Sequence, residues 1–335
     1  MRKSIWYVGG KSAGHIMPLI TLAEQNTSES VFITTHRKLD KKIISAHTPQ
    51  STHCALYVPD INRRKFWLLP LHALIWLAAY AKLIFLFFKT RPEKVISTGG
   101  LSAVPVFLFA RLLRIPCELF ELNAVPGNAV KFLAPLSSKI YYCYRSALAH
   151  LNYKHLYYKP YPVREFNAVT TYEARTHLKL DPEKKTICFL GGSQGSQFIN
   201  DFALALISRF SPSQIQVVHQ AGSVGVARLT SWYADQKYSA YVVDYFEEIE
   251  LFYCAADAVV CRAGAGTLWE LEYMNIPTCI IPLETSMTDH QLYNAQALCK
   301  QKPQQFFMVR QSQAETAIDK IMSFFKHNKN KDACS

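Results

Sequence analysis

The chain has 335 residues, 50% of them hydrophobic and 19% charged, a composition that excludes disorder at a length suited to two cores. Its formal net charge of +12 would suit nucleic acid, an anionic membrane surface or a phosphorylated substrate. Residues 1–164 carry 22 basic and 7 acidic side chains and residues 165–335 carry 15 and 18, so the two parts hold +15 and −3. A uniformly basic coat protein is thereby excluded. A nucleic-acid partner is disfavoured, because the basic residues are scattered and form no known binding module.

In chain order, strands are predicted at 4–8, 31–34, 54–58, 94–98, 116–120 and 139–143, with helices at 15–25, 67–89 and 101–113. The alternation lapses at 150–165, where Tyr157-Tyr158-Lys159-Pro160-Tyr161-Pro162 marks a linker. It resumes with strands at 186–191, 215–219, 241–243, 257–261 and 278–282 and helices at 197–209, 265–274 and 290–300. Strand–helix alternation at this spacing predicts an α/β protein with two Rossmann-like domains facing a cleft. The expected divisions are 1–162, 163–312 and a closing amphipathic helix at 313–328. The nine cysteines are never spaced Cys-x-x-Cys and sit mostly in apolar runs, which points away from zinc or disulfides and toward a reducing cytosol. No signal peptide is expected, since Ile5-Trp6-Tyr7-Val8 reads as a strand running into Gly9-Gly10.

Residues 66–88 form an almost wholly apolar stretch flanked by Arg63, Arg64, Lys65, Lys89, Arg91 and Lys94. Three readings stand: a membrane span, a buried crossover helix, and a helix that docks one apolar face on a membrane. A span would part the strands on either side, and it would bury Lys82. The basic flanks and the +15 half favour docking.

Four segments carry chemistry. Gly9-Gly10-Lys11-Ser12-Ala13-Gly14-His15 follows the first strand and opens a helix, where small residues and helix N–H groups suit an anion. It is neither a P-loop nor a dinucleotide fingerprint, and a tight structural turn is an equal reading. Gly191-Gly192-Ser193-Gln194-Gly195-Ser196 repeats the pattern in the second half. Cys261-Arg262-Ala263-Gly264-Ala265-Gly266-Thr267-Leu268-Trp269-Glu270 turns from strand to helix; Glu270 suits a ribose diol, or else a helix cap. Glu121-Leu122-Asn123-Ala124-Val125-Pro126-Gly127-Asn128 sits at a strand's carboxyl end, the common place for function in such sheets, though also a plausible Asn-stabilised turn.

Together these motifs resemble the MurG family of inverting glycosyltransferases, whose members move N-acetylglucosamine from UDP-GlcNAc onto lipid I, the undecaprenyl-pyrophosphoryl-MurNAc-pentapeptide. The resemblance runs from Gly9 to about Ala295 and implies a GT-B glycosyltransferase architecture. It implies that His15 is the general base, and that Ser12, Ala13, Gly14, Asn123 and Gln291 contact the sugar. It further implies that Arg164 and Phe246 lie near the nucleotide, that Ser193 binds diphosphate, and that Ala265, Gly266, Thr267, Leu268, Trp269 and Glu270 line phosphate and ribose. With no Asp-x-Asp in the chain, neither a tightly bound cofactor nor a catalytic metal is expected. The implied partners are UDP-GlcNAc, lipid I and an anionic membrane met by the first domain, with the protein peripheral on the membrane's cytoplasmic face. Departures gather on the acceptor side: a first loop one residue longer, Phe120 where the family has His, and Gly99-Gly100-Leu101-Ser102-Ala103-Val104-Pro105 as the second glycine loop. A related enzyme using a diacylglycerol-type acceptor, and a non-catalytic nucleotide-sugar-binding membrane scaffold, remain the alternatives.

Overall fold

The computed structural model describes residues 3–59, 69–192, 195–284 and 289–327. The chain divides into two compact units, Met1–Arg164 and Glu165–Ser335.

The first unit is built on seven strands, β1 (Ser4–Val8), β2 (Glu29–Thr34), β3 (Thr52–Ala55), β4 (Pro92–Ser97), β5 (Cys117–Glu121), β6 (Lys139–Tyr142) and β7 (Leu156–Tyr158). They pair in parallel in the order β3-β2-β1-β4-β5-β6-β7. All five residues of β1 are buried, as a central strand covered on both faces requires. The crossovers include α1 (Ala13–Glu24), α2 (Lys38–His47), α3 (Leu69–Thr90), α4 (Ala103–Leu112) and α5 (Asn128–Leu133). Three elements of this unit, α2, α5 and β7, escape the sequence reading. The helix α2 is rich in lysine and buries only Asp40 and Ile44, and β7 lies inside the expected linker.

Helix α3 decides among the three readings of its apolar stretch. Ala79, Leu83 and Leu86 pack into the first core, yet only 17% of Pro70–Thr90 is buried. The buried-crossover reading therefore fails. Leu71, Leu74, Leu77, Ile84, Phe85 and Phe88 are exposed. The strands before and after the helix, β3 and β4, belong to one sheet, so a bilayer span would tear that sheet apart. Lys82, which seemed an obstacle to burial, donates from Nζ to the Ala55 carbonyl at 2.7 Å.

The second unit holds six parallel strands, β8 (Lys185–Leu190), β9 (Ile215–Gln220), β10 (Ala240–Val243), β11 (Ala258–Cys261), β12 (Thr278–Ile280) and β13 (Phe306–Met308), ordered β10-β9-β8-β11-β12-β13. Its helices are α6 (Thr171–His177), α7 (Gln197–Ile207), α8 (Val226–Asp235), α9 (Ile249–Ala255), α10 (Ala265–Tyr273), α11 (Asp289–Gln301) and α12 (Ile318–His327). The closing helix is shorter than expected, because two single 3₁₀ turns, Gln311–Gln313 and Glu315–Ala317, precede it.

Candidate active site

In each sheet the strand order reverses once, between β1 and β4 and between β8 and β11. Loops at the carboxyl ends of those strands are where open parallel sheets bind ligands. The loop after β1 is held from below by Asp40, which is fully buried in the first turn of α2. Its Oδ2 accepts from Lys11 N at 3.3 Å, Thr35 N at 3.1 Å and Thr35 Oγ1 at 2.5 Å. Arg37 Nη1 donates to the Lys11 carbonyl at 3.4 Å, and Lys11 takes the left-handed φ of +74°. A Cβ on Gly10 would stand 2.6 Å from the same carboxylate oxygen, so only glycine fits there. The Lys11 amide is thus turned inward. This loop is a clamp that fixes where α1 begins, more than a ring of outward donors.

His15 lies in the first turn of α1, half-buried, with Nδ1 3.2 Å from the Thr98 carbonyl in the loop after β4. A ring nitrogen facing a carbonyl must carry a proton, so in the neutral ring this contact assigns Nε2 as the proton-accepting nitrogen. Thr98 Oγ1 donates back to the His15 carbonyl at 3.0 Å, closing a two-way tie across 83 residues of sequence. Pro18 inside α1 has no N–H to give the carbonyl four residues earlier, that of Gly14. The Tyr161 hydroxyl donates to that carbonyl instead, at 3.3 Å, and so links the end of the unit to the start of α1.

Asn123 follows β5. Its main-chain N and side-chain Nδ2 both donate to Glu121 Oε1, at 2.7 and 3.2 Å. Glu121 is buried, and burial pushes its pKa up to about 7 against the pull of donors from Asn123, Gly127 and Leu122. The grip of the carboxylate fixes which end of the Asn123 amide faces inward. Phe120, where the family has His, is buried and stacks on Tyr141 at 4.6 Å, so it presents hydrocarbon only. Arg164 ends the unit half-buried; burial first, and then its charge, lowers the pKa of His47 at the C-terminal end of α2. That places the Arg164 charge at the opposite end of the strands from His15.

In the second unit the loop after β8 turns at Gly195, φ +75°, where a Cβ would meet Gly222 Cα at 2.7 Å. Ser193 lies outside the described residues. Gln220 ties this loop to Phe246: its Nε2 donates to the Gly192 carbonyl at 2.9 Å and its Oε1 accepts from Phe246 N at 3.1 Å. Phe246 is buried beside Tyr241 and Phe252. Beyond β11, Gly264 caps α10, and Ala265, Gly266 and Thr267 are half-buried in its first turn, where helix geometry gives their N–H groups no intrahelical acceptor. Glu270 accepts from the Tyr253 hydroxyl through Oε2 at 2.7 Å. Gln291, on α11, accepts from Leu283 N at 3.1 Å, which leaves its NH₂ end to point elsewhere.

Two expectations need correction. Leu268 is fully buried and its N–H is spent on the Gly264 carbonyl, so it offers a ligand nothing. Trp269 is likewise buried, at 6% exposure. A helix of period 3.6 cannot turn every residue from 265 to 270 toward one ligand, and the stretch narrows to Ala265–Thr267 and Glu270. Among the described residues, no three of His, Cys, Asp and Glu gather as metal ligands.

Residues 5–142 match the Glycosyltransferase family 28 N-terminal domain and residues 186–335 match the Glycosyltransferase family 28 C-terminal domain. A UDP-N-acetylglucosamine--N-acetylmuramyl-(pentapeptide) pyrophosphoryl-undecaprenol N-acetylglucosamine transferase of Halothermothrix orenii is 30% identical over 310 residues, 88% of this chain and 82% of the relative. The protein of the same name from Campylobacter fetus is 33% identical over 232 residues, 68% of this chain and 64% of the relative, so that match spans just under two thirds of its length. The chain belongs to the MurG family, within glycosyltransferase family 28. The crystal structure of Acinetobacter baumannii MurG superimposes with a TM-score of 0.72 at 19% identity, covering 97% of this chain and 91% of that one, a likeness of fold. For a MurG-family member, the residues that sequence reasoning missed are the holders of the implied contacts: Asp40, Thr98, Glu121, Gln220 and Tyr253. Of these only Glu121 and Gln220 carried a signal, since each stands at the end of a strand before a turn.

Proposed function

We propose that this protein transfers N-acetylglucosamine from UDP-GlcNAc to the MurNAc 4-hydroxyl of lipid I, giving lipid II for peptidoglycan synthesis. The observation that carries the reading is the His15–Thr98 tie, in a chain of this family, which puts the proton of the neutral tautomer on Nδ1 and makes Nε2 the proton-accepting nitrogen. The acceptor hydroxyl loses its proton to His15 Nε2 as its oxygen attacks C1 of the sugar. The bond from C1 to the UDP oxygen breaks, and the configuration inverts. Negative charge grows on the departing diphosphate, where the N-termini of α7 and α10 favour it without reorganisation.

In this reading Ser12, Ala13, Gly14, Asn123 and Gln291 serve the sugar and Phe246 the nucleotide; Arg164, implied near the nucleotide, lies beside His47 and is given no part. Ser193 and Ala265–Thr267 serve the diphosphate, and Glu270 the ribose. The first unit meets an anionic membrane through the exposed face of α3, as a peripheral protein on the cytoplasmic side. Purified protein with labelled UDP-GlcNAc should label lipid I and leave diacylglycerol unlabelled. Label on diacylglycerol instead would move the acceptor, and label on neither despite UDP binding would favour a scaffold. The protein should sediment with anionic vesicles at low salt and Phe85→Glu should weaken that binding; wild type left wholly in solution refutes the membrane reading.

A further inference from the structure

Arg262 directly follows β11, and the residue is buried at 8% exposure. Every partner it has among the described residues is neutral. Nε and Nη2 donate to Ser196 Oγ at 3.1 and 2.9 Å. Nη1 donates to the carbonyls of Ile281 and Pro282 at 3.1 and 3.3 Å and to Gln311 Oε1 at 3.0 Å. The Phe198 ring lies 5.3 Å beneath its central carbon. No carboxylate pairs with it among the described residues; Glu284, on the neighbouring loop, binds Gln311 N and sits 3.8 Å from Arg310. Cys261, beside it in sequence, is kept neutral by burial.

Arginine stays protonated in proteins. A buried cation without a counter-ion is costly in the free protein, and here burial duly lowers the Arg262 pKa. The arrangement makes sense if the missing anion arrives with a ligand. Ser196 shows where. It is the N-cap of α7, and its Oγ already accepts from Ile199 N at 3.4 Å as well as from both guanidinium nitrogens. A hydroxyl has two lone pairs and one proton. With its lone pairs taken, Ser196 has only its O–H to offer, at the half-exposed mouth of the glycine loop.

We propose that Arg262 is the built-in cation of a diphosphate site and acts through Ser196, which it turns into an obligate hydrogen-bond donor to a nucleoside diphosphate. Arg262 is a positioning residue that supplies charge without touching the ligand, and Ser196 makes the contact. This rests on the reading of the second unit as the UDP site, and it assigns that site two residues that the family resemblance did not.

The test is calorimetric titration of the full-length protein with UDP and, separately, with uridine, which lacks the anion. Wild type should prefer UDP; equal binding of the two overturns the nucleotide-site reading itself, before any variant is made. Ser196→Ala and Arg262→Gln should each weaken UDP roughly tenfold to a hundredfold and leave uridine within about twofold. The double variant should be little weaker than Ser196→Ala, because the guanidinium acts through the hydroxyl. Arg262→Lys, which keeps the charge and loses the fork, should fall between. Equal weakening of UDP and uridine would make Arg262 a structural prop and overturn the proposal. Should Arg262→Gln fail to fold, Ser196→Ala decides, and an unchanged UDP titration there overturns it.

Discussion

The two units share a topology and use it in opposite ways. In the first, the loop after β1 spends its Lys11 amide on the buried carboxylate of Asp40, and the side chain it delivers is an imidazole tied through Nδ1 to the Thr98 carbonyl. In the second, the corresponding loop is backed by a buried guanidinium with no carboxylate paired to it among the described residues. Formal charge runs the other way, +15 in the first half and −3 in the second. Bulk charge and site charge are therefore different quantities. The first unit wears its positive charge outside; the second buries two arginines, Arg175 paired with Asp257 and Arg262 with neutral partners among the described residues.

The largest break in that comparison should come from His15→Ala. Loss of a general base lowers kcat by roughly 10²–10⁴-fold, whereas UDP affinity, a property of the second unit, should not move. An unchanged turnover would remove His15 as the base.

The units should also part under acid. His219 on β9 is fully buried, its Nδ1 3.1 Å from the Tyr233 hydroxyl and its Nε2 3.1 Å from Asn200 Oδ1. Burial, with a smaller push from Arg228, lowers its pKa to about 3. Between that value and the ordinary 6.5 the unfolded chain binds the proton and the folded one does not, so stability rises with pH across the window. On falling from pH 6.5 to pH 4 this group alone should cost the second unit about 3 kcal/mol. Hydrogen exchange of the β9 amides reads it. His219→Gln, which bonds but does not titrate, should flatten the slope, and an identical slope in the variant would assign the effect elsewhere.

A ribose contact sharpens the contrast from another side. Glu270→Ala should weaken UDP and uridine alike, by roughly tenfold to a hundredfold, because both carry the diol. Tyr253→Phe should give the same pattern more weakly, through loss of the 2.7 Å bond that orients the carboxylate. Loss of UDP affinity with uridine spared would transfer Glu270 from the ribose to the phosphates.

Much of this architecture was legible in the sequence because a strand covered on both faces is mostly apolar, as Ile5–Val8 of β1 and Ile187–Leu190 of β8 are. Elements with little apolar surface were not. The helix α2 reads as a charged loop, and β7 and β13 are three-residue edges recognisable only once a neighbour pairs with them. Apolar content alone could not say whether α3 was core or surface, since both are rich in leucine. At the site, motifs located His15, Asn123 and Glu270, but their holders sit 83, 2 and 17 residues away. Only the near one was in reach of a motif, because the others depend on how distant strands are brought side by side.

The smallest and most diagnostic change is Glu121→Gln. If Glu121 orients Asn123 toward the transferred sugar, the variant should raise KM for UDP-GlcNAc a few fold, with UDP affinity unaltered, since UDP lacks the N-acetylglucosamine. Its titration supplies a second reading. With a pKa raised from 4.5 to about 7, the folded first unit holds a proton that the unfolded chain has released, so this group's contribution to stability falls as pH rises through that window. That slope is opposite to the one His219 gives the second unit. Glu121→Gln should remove it from the β5 amides while leaving the β9 amides as they were. A variant that shifts both units together, or that weakens UDP and UDP-GlcNAc equally, would show that Glu121 supports the fold at large and has no special hold on Asn123.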